Sequence, residues 1–128
     1  MPATEAQNKA IIEALIDCYN AEIETVANYI ANAENLDGVR AKHIKNSLEA
    51  DVQEELGHAQ QIAKRIKVIG GLVPGSQALK WTQKMLQPPS DTTDLLSVIK
   101  GVIAAEEAAI AGYEKVIELT SDVDPATE

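Results

Sequence analysis

Three long runs of apolar residues, spaced alternately three and four positions apart, constrain this chain most strongly. They span residues 12–33, 41–69 and 95–116. Such spacing places the apolar side chains along one face of an α-helix. The chain has no Phe, one Trp and three Tyr, whereas the cores of β-sheets usually contain aromatic residues and Thr. The sequence therefore predicts an all-α fold with three long amphipathic helices.

Capping and turn residues mark the ends of these helices. Thr4 followed by Gln7 fits a capping box at the start of the first helix. Residues 35–38, Asn-Leu-Asp-Gly, predict the turn that follows it. The glycine pair at 70–71 predicts the end of the second helix, and the polar residues 91–94 precede the third.

The connection between the second and third helices is unusually long for a helical bundle. Residues 72–90 contain Pro74, Pro88 and Pro89, so they cannot form one continuous helix. Bundle helices are commonly joined by about 2–8 residues. A connection of this length can run along the whole bundle, which predicts that the third helix is parallel to the second. We expect Trp81 to anchor this connection against the bundle.

The charge balance limits the partners of the chain. Lys and Arg number 11 against 20 for Asp and Glu, a net charge of −9. This charge disfavours binding to nucleic acid or to an anionic membrane surface, and it suits a protein that handles cations. Cys18 is the single cysteine and cannot form an internal disulfide. No segment resembles a secretory signal or a bilayer span, so we expect one cytoplasmic domain over residues 1–128.

A glutamate interrupts the middle of each apolar face. These glutamates are Glu22, Glu55 and Glu106, and His58 follows Glu55 at i+3 on the same helix face. Taken singly, each glutamate is most simply a solvated residue. Three unpaired carboxylates buried on facing helices, however, would repel one another. A divalent metal ion removes this cost, because it accepts carboxylate and imidazole ligands together. The four residues are therefore candidate metal ligands that converge on one site.

Three segments resemble the ligand-bearing helices of ferritin-like proteins, closest in pattern to the bacterioferritin group: Glu22-(x6)-Tyr29, Glu55-x-x-His58 and Glu106-(x6)-Tyr113. One short loop followed by one long crossover is also the connectivity of ferritin-like bundles. The resemblance implies a ferritin-like helical bundle that oxidises Fe(II) with O₂ or peroxide and stores or detoxifies iron. The metal ligands it implies for a di-iron site are Glu22, Glu55, His58 and Glu106. We expect the two tyrosine hydroxyls to hydrogen-bond to ligand carboxylates.

Two departures from the family pattern bear on function. The fourth helix of the bundle, with its second Glu-x-x-His, is absent from the sequence. Ferroxidase activity then requires that another chain or a further helix complete the di-iron site. Leu56 stands where bacterioferritins carry a haem-ligating Met, so haem is not expected. The apolar faces left uncovered predict a homo-oligomer.

Two other functions stay open at this point. A non-enzymatic shell or scaffold subunit, or a truncated form, would keep the fold with an incomplete metal site. A Dps-like protein that protects DNA is a second alternative. The net charge of −9 disfavours this second alternative, because contacts to phosphate require Lys or Arg.

Overall fold

Three α-helices make up most of the computed structural model, which describes residues 4–121 and residue 127. They are α1 (Glu5–Asn35), α2 (Ala41–Val68) and α3 (Leu95–Thr120). The described residues contain no β-strand, so the prediction of an all-α fold is confirmed. None of the helices in this part of the chain is long and apolar enough to cross a membrane.

The predicted caps define the helix ends. The Gln7 backbone N–H donates to Thr4 Oγ1 at 3.1 Å, and the Thr4 N–H donates to Gln7 Oε1 at 2.8 Å, which completes the capping box. At the start of α3, the Asp94 side chain accepts a hydrogen bond from the Ser97 N–H at 3.0 Å. Just beyond α2, Gly70 adopts a φ of 96°, a left-handed conformation that favours glycine. The ends expected from the sequence are confirmed.

Helix α1 packs against both other helices and contributes to two separate core clusters. The first core cluster joins the second half of α1 to the first halves of α2 and α3: Val26, Tyr29, Ala33, Leu36, Ala41, Leu48, Val52, Leu86, Val98 and Ala105. The second core cluster joins the first half of α1 to the ends of α2 and α3: Ile11, Ala14, Leu15, Cys18, Ile62, Ile66 and Val116. Helix α1 is therefore antiparallel to both partners. Helices α2 and α3 are parallel, which confirms the expectation from the long connection.

The connection from α2 to α3 follows a row of polar side chains on α1. These residues recur every four positions, which places them on one helix face: Asn20, Glu24, Asn28 and Asn32. The Gln83 N–H donates to Glu24 Oε2 at 2.6 Å, and Asn32 Nδ2 donates to the Leu86 carbonyl at 2.9 Å. Such bonds satisfy backbone groups in a segment whose only regular structure is two short 3₁₀ turns, Ser76–Ala78 and Lys84–Leu86.

Trp81 does not anchor this connection, so that prediction is wrong. Its side chain is 58% exposed, whereas Gln83 is 8% and Leu86 only 1% exposed. Gln83 Nε2 also donates to Thr25 Oγ1 at 2.7 Å, and Leu86 belongs to the first core cluster. Hydrogen bonds to α1 and one aliphatic side chain therefore hold the segment in place. Nothing in the sequence distinguishes Trp81, which is exposed, from an aromatic residue that packs against the bundle.

Helix α3 carries apolar side chains on two faces. One face, which includes Val98 and Val116, is buried in the core clusters. The other face, here called the open face, presents five large side chains that are 41–61% exposed: Leu96, Ile99, Ile103, Ile110 and Ile117. The sequence pattern places Ile99 in the core-facing run, but it lies on the open face. Glu106 and Tyr113 border this face, and both side chains form hydrogen bonds to α1.

The connection also approaches the backbone of α3 closely at Gly101. A Cβ atom at this position would lie 2.4 Å from the Met85 carbonyl oxygen, which no real side chain tolerates. A Cβ atom at Gly57 of α2 would meet nothing within 4 Å. Gly101 is therefore required for close packing, whereas Gly57 only adds freedom to the unfolded chain.

We predict opposite effects of alanine at these two glycines. Gly101→Ala should lower the free energy of unfolding by about 1–3 kcal/mol, because the connection must shift to relieve the clash. Gly57→Ala should raise it by about 0.5–1 kcal/mol, because alanine is the better helix former. Urea unfolding in metal-free buffer measures both changes. A Gly101→Ala variant as stable as the parent would contradict the close approach of Met85.

Candidate metal centre

A polar layer separates the two core clusters in the middle of the bundle. On α1, Glu22 lies between Cys18 of the second cluster and Val26 of the first, and on α2, Glu55 lies between members of the same two clusters. Glu22 is 3% and Glu55 is 8% exposed. Among the described residues, neither carboxylate pairs with a Lys or Arg. The layer thus holds buried acidic groups that lack a basic partner.

Glu22, Glu55 and His58 each bring one potential ligand atom to the same point. These atoms lie within 4.8 Å of one another. His58 Nδ1 is 3.9 Å from Glu22 Oε2 and 3.7 Å from Glu55 Oε2, distances too long for hydrogen bonds. Glu22 Oε2 and His58 Nδ1 are buried and have no hydrogen-bond partner among the described residues. Buried polar atoms without partners destabilise a fold. Glu22 Oε2 and His58 Nδ1 therefore need a further partner, such as a ligand or an ion.

This group of three residues fits a divalent transition-metal ion. Imidazole nitrogen and carboxylate oxygen are common ligands of such ions. With metal–ligand bonds of about 2.0–2.2 Å, two ligand atoms of one ion lie at most about 4.4 Å apart. The distances from His58 Nδ1 to Glu22 Oε2 and to Glu55 Oε2 both fall below this limit. A cation at the centre would also offset the repulsion between the two buried carboxylates.

Two tyrosines hold carboxylates across the interface of α1 and α3. Tyr29 on α1 donates to Glu106 Oε1 on α3 at 3.1 Å, and Tyr113 on α3 donates to Glu22 Oε1 on α1. Each tyrosine follows the glutamate of its own helix by seven residues but bonds to the glutamate of the other helix. Because α1 and α3 are antiparallel, the two pairs are related by an approximate two-fold axis. The hydroxyls orient the carboxylates in the way expected from the sequence.

Glu106 lies at the edge of this group. It is exposed, and it does not belong to the set of ligand atoms gathered around His58. Its carboxylate faces α1, since it accepts the hydrogen bond from Tyr29. Burial and then the charge of Glu106 raise the pKa of Asp51 on α2. The structure thus gathers three of the four candidate ligands, with the fourth beside them on the open face.

Burial shifts the ionisation of the groups in this layer. It raises the pKa of Glu22 above its ordinary value, and the hydrogen bond from Tyr113 and the nearby His58 offset only part of the rise. Burial, followed by the neighbouring carboxylates, also raises the pKa of Tyr29 and Tyr113. Both hydroxyls therefore remain protonated donors at neutral pH.

Sequence reasoning does not single out Glu24, a further buried carboxylate. Glu24 is 2% exposed and accepts the hydrogen bond from the Gln83 N–H. It is not among the residues gathered around His58, so its role is to hold the connection. The signal available in the sequence is the recurrence of polar residues at 20, 24, 28 and 32, which marks a separate polar face of α1.

Long helices joined by one long connection, with carboxylate and imidazole side chains gathered between them, are typical of ferritin-like proteins. Residues 12–128 match the sequence model of the ferritin-like domain family, and the chain belongs to this family. A solved structure described as a ferritin-like, diiron-carboxylate protein from Bacillus anthracis str. Ames has a TM-score of 0.80 and 24% sequence identity to this chain. The match covers 93% of this chain and 79% of the other, and it confirms the ferritin-like fold. No curated protein matches the sequence.

We predict that ionisation of Glu22 lowers the stability of the metal-free protein as the pH rises. A carboxyl whose pKa is raised by folding stabilises the folded state below its ordinary pKa, and this contribution is lost as the pH rises through the raised value. Glu22→Gln cannot ionise, and its amide oxygen can still accept the hydrogen bond from Tyr113. The variant should therefore gain stability over the parent as the pH increases.

Urea unfolding with a chelator present, between about pH 4 and about pH 8, measures this difference. Glu34→Gln, at an exposed position on α1, is the matched control and should show no such trend. A difference between Glu22→Gln and the parent that stays constant with pH would contradict the prediction.

Proposed function

We propose that this chain binds Fe(II) at a di-iron carboxylate site and oxidises it, in the service of iron storage or detoxification. The observation that carries the proposal is the pair of buried carboxylates that meets the unpartnered Nδ1 atom of His58. Glu22, Glu55 and His58 are the proposed ligands, and Glu106 is a fourth ligand at the open edge. Membership of the ferritin-like domain family and the di-iron carboxylate description of the structural neighbour support iron as the metal.

Each side chain of the centre has a distinct proposed role. Glu55 would serve both ions through its carboxylate, and His58 would hold one of them through its imidazole. Tyr29 holds one oxygen of Glu106, and Tyr113 holds one oxygen of Glu22. The other oxygen of Glu22, Oε2, is thus available to an ion. Hard oxygen ligands favour Fe(III) over Fe(II), so the site supports oxidation of iron by O₂ or peroxide.

A non-enzymatic shell or scaffold subunit is the main alternative, and the exposure of Glu106 is the observation that favours it. An anaerobic titration with Fe(II), followed by admission of air, separates the two functions. A ferroxidase binds Fe(II) in stoichiometric amounts and then develops ferric absorbance faster than buffer does, whereas a scaffold does neither. Protection of DNA is disfavoured by the net charge of −9. Haem has no place in the proposal, because the Leu56 side chain has no ligating atom.

The proposal includes a homo-oligomer in which another copy covers the open face of α3. The five large apolar side chains there form a stripe along most of the helix. Soluble monomers rarely expose contiguous apolar surface on this scale. Glu106 and Tyr113 border this face, so its coverage would also shield the metal centre from water.

We predict that the centre stabilises the protein only when Fe(II) and Glu55 are both present. The parent should gain about 2.7 kcal/mol of stability when Fe(II) is at one hundred times its dissociation constant. Glu55→Ala should abolish this gain, and it should stabilise the metal-free protein because one of two repelling buried carboxylates is gone. Anaerobic thermal melts with and without Fe(II) measure both effects. Glu54→Ala, at the exposed neighbouring position, should retain the gain, and an undiminished gain in Glu55→Ala would refute the assignment.

We also predict that the protein has a solution mass above the 13.7 kDa of one chain. The double substitution Ile103→Lys and Ile110→Lys should reduce that mass toward a monomer, since charges on a covered apolar face must be desolvated. Light scattering coupled to size-exclusion chromatography measures the mass. Val39→Lys, at a position 99% exposed in the turn before α2, is the control. A sharp monomeric peak of the parent with cooperative melting would contradict the oligomer.

A further inference from the structure

A cavity of about 230 Å³ lies between α1 and α3 and reaches the candidate metal centre. Half of its lining residues are alanine or glycine: Ala14, Ala21, Ala108, Ala109 and Gly112. Glu22 and Tyr113, which are hydrogen-bonded to each other, also form part of its wall. Glu22 is 3% exposed, and its Oε2 atom has no hydrogen-bond partner among the described residues. The cavity therefore reaches a carboxylate of the candidate metal centre, whose Oε2 atom lies 3.9 Å from His58 Nδ1.

The lining changes character from the rim of the cavity to its inner end. Asp17 and Lys115 are exposed and carry opposite charges, so the rim attracts neither anions nor cations strongly. Ala14 and Cys18 are buried. Burial raises the pKa of the Cys18 thiol to about 11, so this part of the wall is uncharged at neutral pH. A small neutral molecule meets no desolvated charge until it reaches Glu22.

On the opposite side of the centre, the surrounding side chains are polar and acidic. The His58 side chain is 40% exposed there, and Glu106 on the open face contributes negative charge. Asp51 lies close enough to Glu106 and Glu54 for their charges to raise its pKa after the effect of burial. Acidic groups of this kind attract cations. The centre thus has a cation-attracting side and, between α1 and α3, a neutral side.

The volume of the cavity suits small neutral molecules. An apolar cavity of about 150 Å³ is enough to bind xenon or benzene in another protein. The cavity between α1 and α3 is larger than this, and half of its lining residues are alanine or glycine. Dioxygen is smaller than xenon and carries no charge. It therefore matches both the volume and the lining of the cavity.

We propose that this cavity binds dioxygen and leads it to the Glu22 side of the centre, while Fe(II) arrives from the side of His58 and Glu106. The inference rests on the proposed function and adds to it a separate binding place for the oxidant. It concerns only the access and binding of a neutral molecule, so Fe(II) binding itself should not depend on the cavity. Filling the cavity should consequently change the dependence on oxygen and leave the dependence on iron as it was.

Two substitutions fill the cavity from opposite walls. Ala109→Leu adds an isobutyl group from α3, and Ala21→Leu adds one from α1. Ala111→Leu places the same group on α3 at an exposed position outside the lining, which makes it the matched control. Because the two filling variants act from different helices, one of them suffices if the other fails to fold.

The first measurement uses xenon as a neutral probe on the metal-free protein. Xenon under pressure should occupy the cavity beside Cys18 in the parent and in Ala111→Leu, and crystallography or ¹²⁹Xe NMR should show it displaced in the filling variants. Absence of xenon from this cavity in the parent would overturn the proposal. This result does not depend on whether the protein oxidises iron.

The second measurement separates the oxidant route from the iron site. Anaerobic Fe(II) stoichiometry should be the same in the parent, in Ala111→Leu and in the filling variants. The oxygen concentration that gives half the maximal oxidation rate should rise several-fold in the filling variants alone. An unchanged oxygen dependence would overturn the route even if xenon binds. A failure of the parent to bind Fe(II) would instead overturn the proposed function, and with it the role of the cavity as an oxidant site.

Discussion

The burial of two carboxylates inside apolar helix faces is the constraint on which the rest of this structure depends. Glu22 and Glu55 sit among aliphatic side chains at the depth where His58 also reaches inward. Their presence divides the core into two clusters, one on each side of the polar layer. The stability of the metal-free protein therefore comes from the two aliphatic clusters, and the layer between them works against it.

The parts of this arrangement that could be predicted from the sequence are those that depend on geometry within one helix. The capping box at Thr4 and the shared face of Glu55 and His58 require only helical spacing. The exposure of Glu106 could not be predicted in this way, because it depends on how α3 is rotated about its own axis. Helix α3 is apolar on two faces, so its periodicity does not identify which of them is buried, and Ile99 lies on the open face although it fits the core-facing spacing.

The path of the long connection could not be predicted for a related reason. It is decided by contacts between residues far apart in the sequence, such as Gln83 and Glu24, which are 59 positions apart. A large aromatic residue such as Trp81 suggests a packing contact, but Trp81 is exposed. Polar partners on α1 and the space above Gly101 determine the path of the connection. The connection contacts both α1 and α3, so it is a structural part of the bundle and not a loose tether.

The crossed tyrosine–glutamate pairs have a consequence for how α1 and α3 move. In an antiparallel pair related by a two-fold axis, sliding one helix along the other changes both hydrogen bonds in the same sense. A slip of one residue, about 1.5 Å, would strain the bond from Tyr29 to Glu106 and the bond from Tyr113 to Glu22 together. The two bonds therefore lock the register of the helices. An ion held by Glu22 would therefore also affect the position of Glu106, although the two carboxylates stand on different helices.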